Sequence, residues 1–405
     1  MKIAVVHPYP VGRRGVGGIT RLHALVKHLA PAHRVTVLAH ASPDPESDAQ
    51  AVRDLAEIGV AQRLFPLPVP SLRQRLRWAI DPVPYCVGRN RNPALEKALQ
   101  ALEMELGLDV VHVEFAYLAP LLDGIGPGPA QVLAEQETMS LAVERLRQVR
   151  GKSLYERYAR LERRKVRCFE RSTLPRFDRI YGITPVEAGR LAEVVGKPVE
   201  VLSHIVCTEA FTPPAEEPRE PAVLFVGNFA HRPNLHGLAW FVDRVWPAIA
   251  GAVPDARLDV VGPGLEGLPP RRLERPRVRL HGHVEDLPAR YRAATVFVNP
   301  ILSGGGMRGK VLEAFASGRP VVSTPLGMEG IGAKAGTHHL VADGPADFGQ
   351  AVTTYLRNPD LGKAHGTAAR ELAVRLYRPA VVFPRLEAGY AAVVAERRSG
   401  SRMAS

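Results

Sequence analysis

Between Asn299 and Gly330 the chain reads NPILSGGGMRGKVLEAFASGRPVVSTPLGMEG. Gly304, Gly305 and Gly306 come first, then Arg308 and Lys310, then a single carboxylate, Glu313. Small residues that lead from a strand into a helix let backbone N–H groups approach a phosphate, and the helix dipole favours negative charge there. Two cations in the first turn of a helix oppose that dipole. A bound anion reverses the sign of the argument, so the pair is read as an anion site. Glu313 lies three residues beyond Lys310, on the same side of the helix. It has two readings: an acceptor for a ribose diol, as acidic residues are in dinucleotide folds, or a surface partner of Lys310.

A second glycine turn, Gly15, Gly17 and Gly18, follows the apolar run KIAVVH and again opens a helical pattern. Its spacing is not that of the dinucleotide fingerprint, and no nicotinamide-type reading follows from it. Arg13 and Arg14 beside it are either helpers for an anion or plain surface charge.

The rest of the composition narrows the field. The chain has 405 residues, 46% hydrophobic and 23% charged, which suits a soluble globular protein of two domains. No apolar run reaches the length of a membrane span, and the N-terminal MKIAVVHPYP is a buried first strand rather than a signal peptide. Cys86, Cys168 and Cys207 are odd in number and widely spaced, which argues for a reduced, cytosolic setting without a disulfide framework or zinc site. The net charge is +12, and residues 145–171 hold eleven Lys or Arg against three Glu. Arg157, Arg160, Arg164, Arg167 and Arg171 recur at helical spacing and form one stripe. The stripe is either a solvated face or a surface for anionic lipid headgroups or a phosphate-bearing acceptor. Nucleic acid is disfavoured because no aromatic stacking platform accompanies the charge.

The elements that must position these residues alternate between strand and helix patterns. KIAVVH, RVTVLAH, DVVHVEF, AQVLAE, DRIYGIT and VEVLSH are strand-like runs in the first half. GVGGITRLHALVKHLA and NPALEKALQALEMEL have helical spacing. Residues 70–93 are expected to be an irregular loop. TPPAEEPREP lacks apolar spacing and is expected to lie in a linker, 206–221. The alternation then restarts with AVLFVGN, ARLDVVG, VRLHGHV, TVFVNP and PVVSTP. The expected fold is α/β, two Rossmann-like domains facing across a cleft: residues 1–205, then 222–378, with a final helix at 379–398 returning toward the first domain. In such sheets ligands bind beyond the carboxyl ends of the strands.

At this point the chain resembles a family. VLEAFASGRPVVSTPLGMEG is similar to the LEAMAxGxPVVxTxxGxxG segment of GT-B glycosyltransferases of the large retaining family 4. FVGNFAHRPNLHGLAWFVDRVWPAI resembles the start of that family's C-terminal domain, VLSHIVCTEAF its hinge, and LVADGPADFGQAV onward its last helices. The resemblance is strong over 222–376 and weaker in the N-terminal half. It implies transfer of a sugar from a nucleotide diphosphate sugar to an acceptor with retention, in polysaccharide, glycolipid or glycoside biosynthesis, with no tightly bound cofactor and no metal requirement. It implies donor contacts at Gly17, Gly18, Asn228, Arg232, Gly282, Val284, Gly305, Gly306, Met307, Arg308, Lys310, Val311 and Glu313. Arg308 and Lys310 would hold the diphosphate and stabilise charge on the departing nucleotide. The acceptor is not specified. The setting implied is cytoplasmic, with peripheral contact at the inner face of an anionic membrane through 145–171.

The departures are specific. Many members carry two glutamates eight positions apart; Glu313 is the second, but Gly305 stands in place of the first. The family's usual Arg and Lys would align with Asn228 and Pro233, with Arg232 nearby. Where many members have a His after the strand AQVLAE, this chain has Glu135, Gln136 and Glu137. Glu137 is a candidate for contacting the reacting sugar or acceptor, or an ordinary helix N-terminal acid. His112 and Glu114 on the preceding strand are further candidates. Two rival readings remain: a nucleotide-sugar epimerase on the same architecture, and a non-catalytic nucleotide-sugar-binding subunit.

Overall fold

The structure is a computed structural model and describes residues 1–13, 17–140, 143, 154–267 and 274–403. Arg14, Gly15 and the 145–153 portion of the basic segment lie outside the described residues, as does the Arg157 side chain. The chain divides into two compact units, Met1–Ser203 with Val382–Ser405, and His204–Val381.

The first unit is built on seven strands: β1 (Lys2–His7), β2 (Arg34–His40), β3 (Ala61–Phe65), β4 (Val110–Glu114), β5 (Ala130–Glu135), β6 (Arg179–Gly182) and β7 (Glu200–Val201). Their order is β3-β2-β1-β4-β5-β6-β7, and every pairing is parallel. The central strands are buried on both faces: every residue of β1 after Lys2 and all of β4 is buried, including the polar His7, His112 and Glu114, so neither strand alternates between buried and exposed positions. Leu95, Leu99 and Leu102 of the Pro93–Leu106 helix pack with Val111, Val113 and Leu133 in one core. Asn92 caps that helix through the Ala94 and Leu95 amides, and Gly107 ends it at φ 61°.

The second unit has six parallel strands: β8 (Ala222–Val226), β9 (Arg257–Val261), β10 (Val278–Gly282), β11 (Val296–Asn299), β12 (Val321–Ser323) and β13 (Leu340–Val341). Their order, β10-β9-β8-β11-β12-β13, is the doubly wound order 3-2-1-4-5-6. The helix Arg232–Trp240 runs through a π turn, Phe241–Val245, into Trp246–Ala252. Pro247 has no N–H to give residue 243 and its ring would strike that carbonyl, so the backbone widens by one residue just before it. Phe241, Val242, Val245 and Trp246 face β8, β9 and β11 in the second core.

The α/β, two-Rossmann architecture expected from the sequence is present. The stretch 206–221 runs along the second unit, where Arg319 reaches Glu217 at 2.9 Å and the Phe211 ring meets Tyr291 edge-on at 5.6 Å. The segment 70–93 is not an irregular loop. It forms two helices, Leu72–Ile80 and Tyr85–Asn90. Ser71 and Gln74 close a reciprocal capping box, which starts the first of them despite the prolines on either side. Strands β3 and β13 were not anticipated either, being short and only partly apolar.

Candidate functional site

In a doubly wound sheet the crevice lies where the strand order reverses, here between β8 and β11. Both strands deliver a loop and then a helix at that point. β8 leads through Gly227 and Asn228 to the Arg232–Trp240 helix; β11 leads through Gly304–Gly306 to the Gly309–Ala316 helix. Neither helix has a side-chain cap or an acidic residue in its first turn. By contrast, the helices starting at Pro45, Pro93, Pro185 and Pro359 are capped by Asp44, Asn92, Thr184 and Asn358. The two helix N-termini at the switch point thus present positive dipole ends that no side-chain cap or first-turn acid meets, although the Asn234 and Val311 amides already bond the His231 and Arg308 carbonyls.

The glycine loop brings the two halves together. Gly304 and Gly306 have φ of 95° and 75°, values that favour glycine. A Cβ on Gly304 would lie 3.1 Å from the Pro233 ring in the first turn of the other helix and 3.8 Å from Arg308 Nη2. Arg308 is itself the N-cap residue of its helix, and its Nη1 donates to the Gly305 carbonyl. At Gly305, where the family resemblance leads one to expect a glutamate, this chain therefore has a backbone carbonyl held by an arginine. Partial burial and the Arg308 cation both lower the pKa of His231, which precedes the Arg232 helix.

Lys310 and Glu313 form the ion pair that was one of the two readings of this carboxylate, with Nζ to Oε1 at 2.9 Å. Glu313 also faces the Tyr291 hydroxyl at 3.0 Å, and that hydroxyl is 3.1 Å from the Lys310 carbonyl. The Tyr291 phenol is fully buried, and burial together with the Glu313 charge drives its pKa well up, so it stays a neutral donor. Sequence reading missed Tyr291. Its signal was a lone tyrosine at a core position, i+4 from Leu287, where a buried hydroxyl must find a partner.

The remaining second-unit candidates take different places. Arg232 is exposed in the first turn of its helix. Asn228 Oδ1 accepts from the Ala230 amide at 3.1 Å, so this side chain shapes its own turn. Gly282 closes β10 at φ 57°, and its carbonyl accepts from Gly262 N at 2.7 Å; Val284 is half-buried just beyond. Met307 and Val311 point into the core, and the Val311 amide is already given to the Arg308 carbonyl. These two support the loop from below. A buried network also holds the following turn: Asn299 Nδ2 donates to Ser323 Oγ and the Gly327 carbonyl, both at 3.0 Å, and Thr324 Oγ1 donates to the Ile301 carbonyl at 2.6 Å.

In the first unit the switch point lies between β1 and β4. Gly18 sits against Gln136, whose Oε1 would be 2.9 Å from an added Cβ. Gln136 Nε2 donates to Glu114 at 2.9 Å, and Arg21 Nη2 spans both Glu114 oxygens at 2.5 and 2.7 Å. Burial alone would raise the Glu114 pKa; Arg21 and the His112 hydrogen bond outweigh it and hold the carboxyl well below the usual range. His112 Nε2 is 3.1 Å from Glu114, and its Nδ1 is 2.8 Å from the Tyr390 hydroxyl of the C-terminal helix. An ionised carboxylate only accepts, so Nε2 carries the proton and Nδ1 accepts from Tyr390. His112 and Glu114, offered above as possible catalytic groups, are fully buried and tie the helix Pro379–Met403 to the sheet.

Glu135 is buried too, accepts the Ala116 amide at 2.7 Å, and burial raises its pKa well above the carboxylate range. Of the three residues after AQVLA, Gln136 and Glu137 are the half-buried ones. Thr138 is pinned by Glu187, and the Ser140 amide by Glu170 at 3.0 Å, which fixes the turn that presents Glu137. Among the described residues no group of three His, Cys, Asp or Glu side chains is placed to hold a metal ion. No described helix is long and apolar enough to cross a membrane.

The fold is that of the GT-B glycosyltransferases. Residues 220–358, the segment that carries the glycine loop and both switch-point helices, match the model of the family described as Glycosyl transferases group 1. An uncharacterized 44.6 kDa protein in the cps region of Klebsiella pneumoniae is 29% identical over 191 residues, 45% of this chain and 48% of that protein, so the match spans about half the length of that curated relative. Sucrose-phosphate synthase from Thermosynechococcus elongatus superposes with a TM-score of 0.72 at 18% identity, covering 98% of this chain and 99% of that one. HepE from Anabaena, solved with UDP and glucose, gives 0.69 at 12% identity over 97% and 100% of the two chains. WaaG, a glycosyltransferase involved in lipopolysaccharide biosynthesis, gives 0.62 at 16% identity over 96% and 99%.

Proposed function

We propose that this protein is a glycosyltransferase that takes a sugar from a nucleotide diphosphate sugar and passes it to an acceptor with retention at the anomeric carbon. The carrying observation is the pair of helix N-termini without side-chain caps at the β8/β11 switch point, bridged by the Gly304–Gly306 loop and Arg308. As the sugar leaves, negative charge grows on the diphosphate. Fixed amide dipoles and the Arg308 and Lys310 cations meet that charge without reorganising. We assign Glu313 to the ribose diol, with Tyr291 fixing its orientation and Lys310 turning from the ion pair to the phosphate. By the family resemblance Gly17, Gly18 and Glu137 are the first unit's own candidates, Glu137 for contact with the reacting sugar or acceptor.

HepE and a mutant of Staphylococcus aureus TarM were both solved in complex with UDP, which supports a nucleotide sugar as donor class. The Klebsiella relative's place in a cps region, and the lipopolysaccharide role of WaaG, support a polysaccharide or glycolipid product. The setting we assign is cytoplasmic, with no tightly bound cofactor or metal needed. The exposed Arg160, Arg164, Arg167 and Arg171 on the helix Leu154–Thr173 would draw the protein toward anionic headgroups.

A panel of UDP, GDP, ADP and TDP sugars tests the proposal by thermal shift and by slow donor hydrolysis. One or a few donors should bind and release free sugar. Interconversion of the nucleotide sugars would point to the epimerase instead, and tight binding with no turnover to the non-catalytic subunit.

A further inference from the structure

Four of the most exposed large apolar side chains fall in one twelve-residue stretch: Val69 at 87%, Leu72 at 73%, Leu76 at 63% and Ile80 at 85%. Leu72, Leu76 and Ile80 are spaced i, i+4, i+8 on the Leu72–Ile80 helix, so they form one continuous stripe. The helix is not loose. Its opposite side carries Trp78, which meets the Tyr85 ring edge-on at 5.6 Å and lies so close to Gly88 that an added Cβ there would be 2.8 Å from the indole nitrogen. Lys165 Nζ, from the Leu154–Thr173 helix, donates to the Trp78 carbonyl at 2.8 Å. The anchoring fixes which way the helix faces: tryptophan toward the protein, aliphatic stripe toward solvent.

The flanks of the stripe are basic. Arg73, Arg75 and Arg77 are all exposed, and no Asp or Glu occurs between Phe65 and Ile80. An amphipathic helix with aliphatic side chains on one face and arginines beside them matches the boundary of an anionic bilayer, where acyl chains take the former and phosphates the latter. A second copy of this chain fits poorly, because a two-fold contact through the stripe would bring the arginines against their own counterparts.

We propose that the Leu72–Ile80 helix is a membrane-inserting element, and that Leu72, Leu76 and Ile80 enter the acyl boundary of an anionic bilayer while Arg73, Arg75 and Arg77 contact its phosphates. This deepens the membrane reading of the Arg160–Arg171 stripe and shares its partner, but it names a different helix and a different force. The stripe supplies long-range attraction that salt screens; the helix supplies apolar burial that salt does not weaken.

The test uses the full chain and vesicles of phosphatidylcholine with or without about one third phosphatidylglycerol. The wild type should float with the anionic vesicles and keep a measurable bound fraction at about 0.5 M salt. The triple variant Leu72→Ser, Leu76→Ser, Ile80→Ser should lose at least tenfold in vesicle partitioning and all salt-resistant binding, with its thermal midpoint and nucleoside diphosphate affinity unchanged because the replaced groups face solvent. A Leu76→Trp variant should shift its emission to the blue on anionic vesicles and be quenched by bromine-labelled acyl chains. Replacing Arg160, Arg164, Arg167 and Arg171 by Ser should weaken binding at low salt and leave the Leu76→Trp blue shift at saturating lipid. Wild-type binding that salt removes entirely, with no blue shift, would leave the stripe as the only contact and overturn the insertion. Concentration-dependent self-association that the triple variant abolishes, with no vesicle binding, would assign the helix to a second copy and overturn it as well.

Discussion

Tyr291 and Glu313 meet at 3.0 Å, phenol to carboxylate, beneath the first turn of the Gly309–Ala316 helix. Lys310 holds the other carboxylate oxygen at 2.9 Å, so Glu313 is oriented from two sides. Tyr291→Phe keeps the buried ring and removes the hydroxyl. It should cost about 1 kcal/mol in nucleoside diphosphate affinity, the scale of one hydrogen bond, and leave inorganic pyrophosphate binding unchanged. Calorimetric titration with both ligands decides the matter: equal losses for the two would remove Glu313 from the ribose.

Arg308 and Lys310 are assigned to the phosphates, and their removal should not discriminate in that way. Arg308→Ala and Lys310→Ala are each expected to weaken both nucleoside diphosphate and pyrophosphate by roughly 1.5–3 kcal/mol, as for hydrogen bonds to charged groups. If both variants bind like the wild type, the anion site lies elsewhere.

Glu137 sits on a turn fixed by buried Glu170 and Glu187. Glu137→Gln should lower sugar transfer by roughly 100-fold, the lower end expected for a positioned acid or base, with nucleoside diphosphate affinity intact. Full activity in this variant would make Glu137 an ordinary helix-entry acid.

The Arg21–Glu114 pair is 1% and 0% exposed, with Gln136 and His112 on the same carboxylate. Removing one partner strands the other charge in the core. Arg21→Met is therefore expected to destabilise the first unit by about 3–5 kcal/mol, read by urea unfolding. The double variant Arg21→Met, Glu114→Leu should recover part of that loss. A double variant no better than the single one would argue against a stranded charge as the cause.

Burial lowers the His40 and His339 imidazoles to about 4, one in each unit, with neighbouring histidines adding to the effect. Between about pH 4 and 6.5 the unfolded chain binds protons that these folded rings refuse. Stability should be fully present above pH 6.5 and fall as the pH drops toward 4, by up to about 3 kcal/mol per ring. Urea midpoints at pH 7.5 and 5 should differ in the wild type and differ less in His40→Asn. An identical pH slope in the two proteins would acquit His40.

Much of the second unit was legible because its signals are local. Strand TVFVNP, the glycines after it and the apolar pattern of VLEAFA require only neighbours in sequence, and they lay out the strand-to-helix turn before any fold is known. The first unit was harder to read. His112 and Glu114 have the types of catalytic groups, but their burial is made by Arg21, Gln136 and Tyr390, which lie 93, 22 and 278 residues away in sequence. Titratable side chains look alike in a sequence whether they line a cleft or fill a core. The helix Leu72–Ile80 was hidden for a different reason. Prolines around it suggest a loop, while its capping box and the stripe at 72, 76 and 80 specify a helix whose apolar face is exposed among the described residues.

By itself the sequence determined the alternation that makes two parallel α/β sheets, the glycine turns at their carboxyl ends, and the pairing of Arg308 and Lys310 with the helix that follows. These depend on backbone freedom, hydrophobic period and charge within a few residues. The tertiary structure decided which carboxylates are available. It gave Glu313 a buried phenol as second partner, enclosed Glu114 and Glu135, and left Glu137 half-buried at the end of β5. Exposure and pairing are set by contacts between elements far apart in the chain, where desolvation and Coulomb terms of several kcal/mol compete, and no local pattern encodes their outcome.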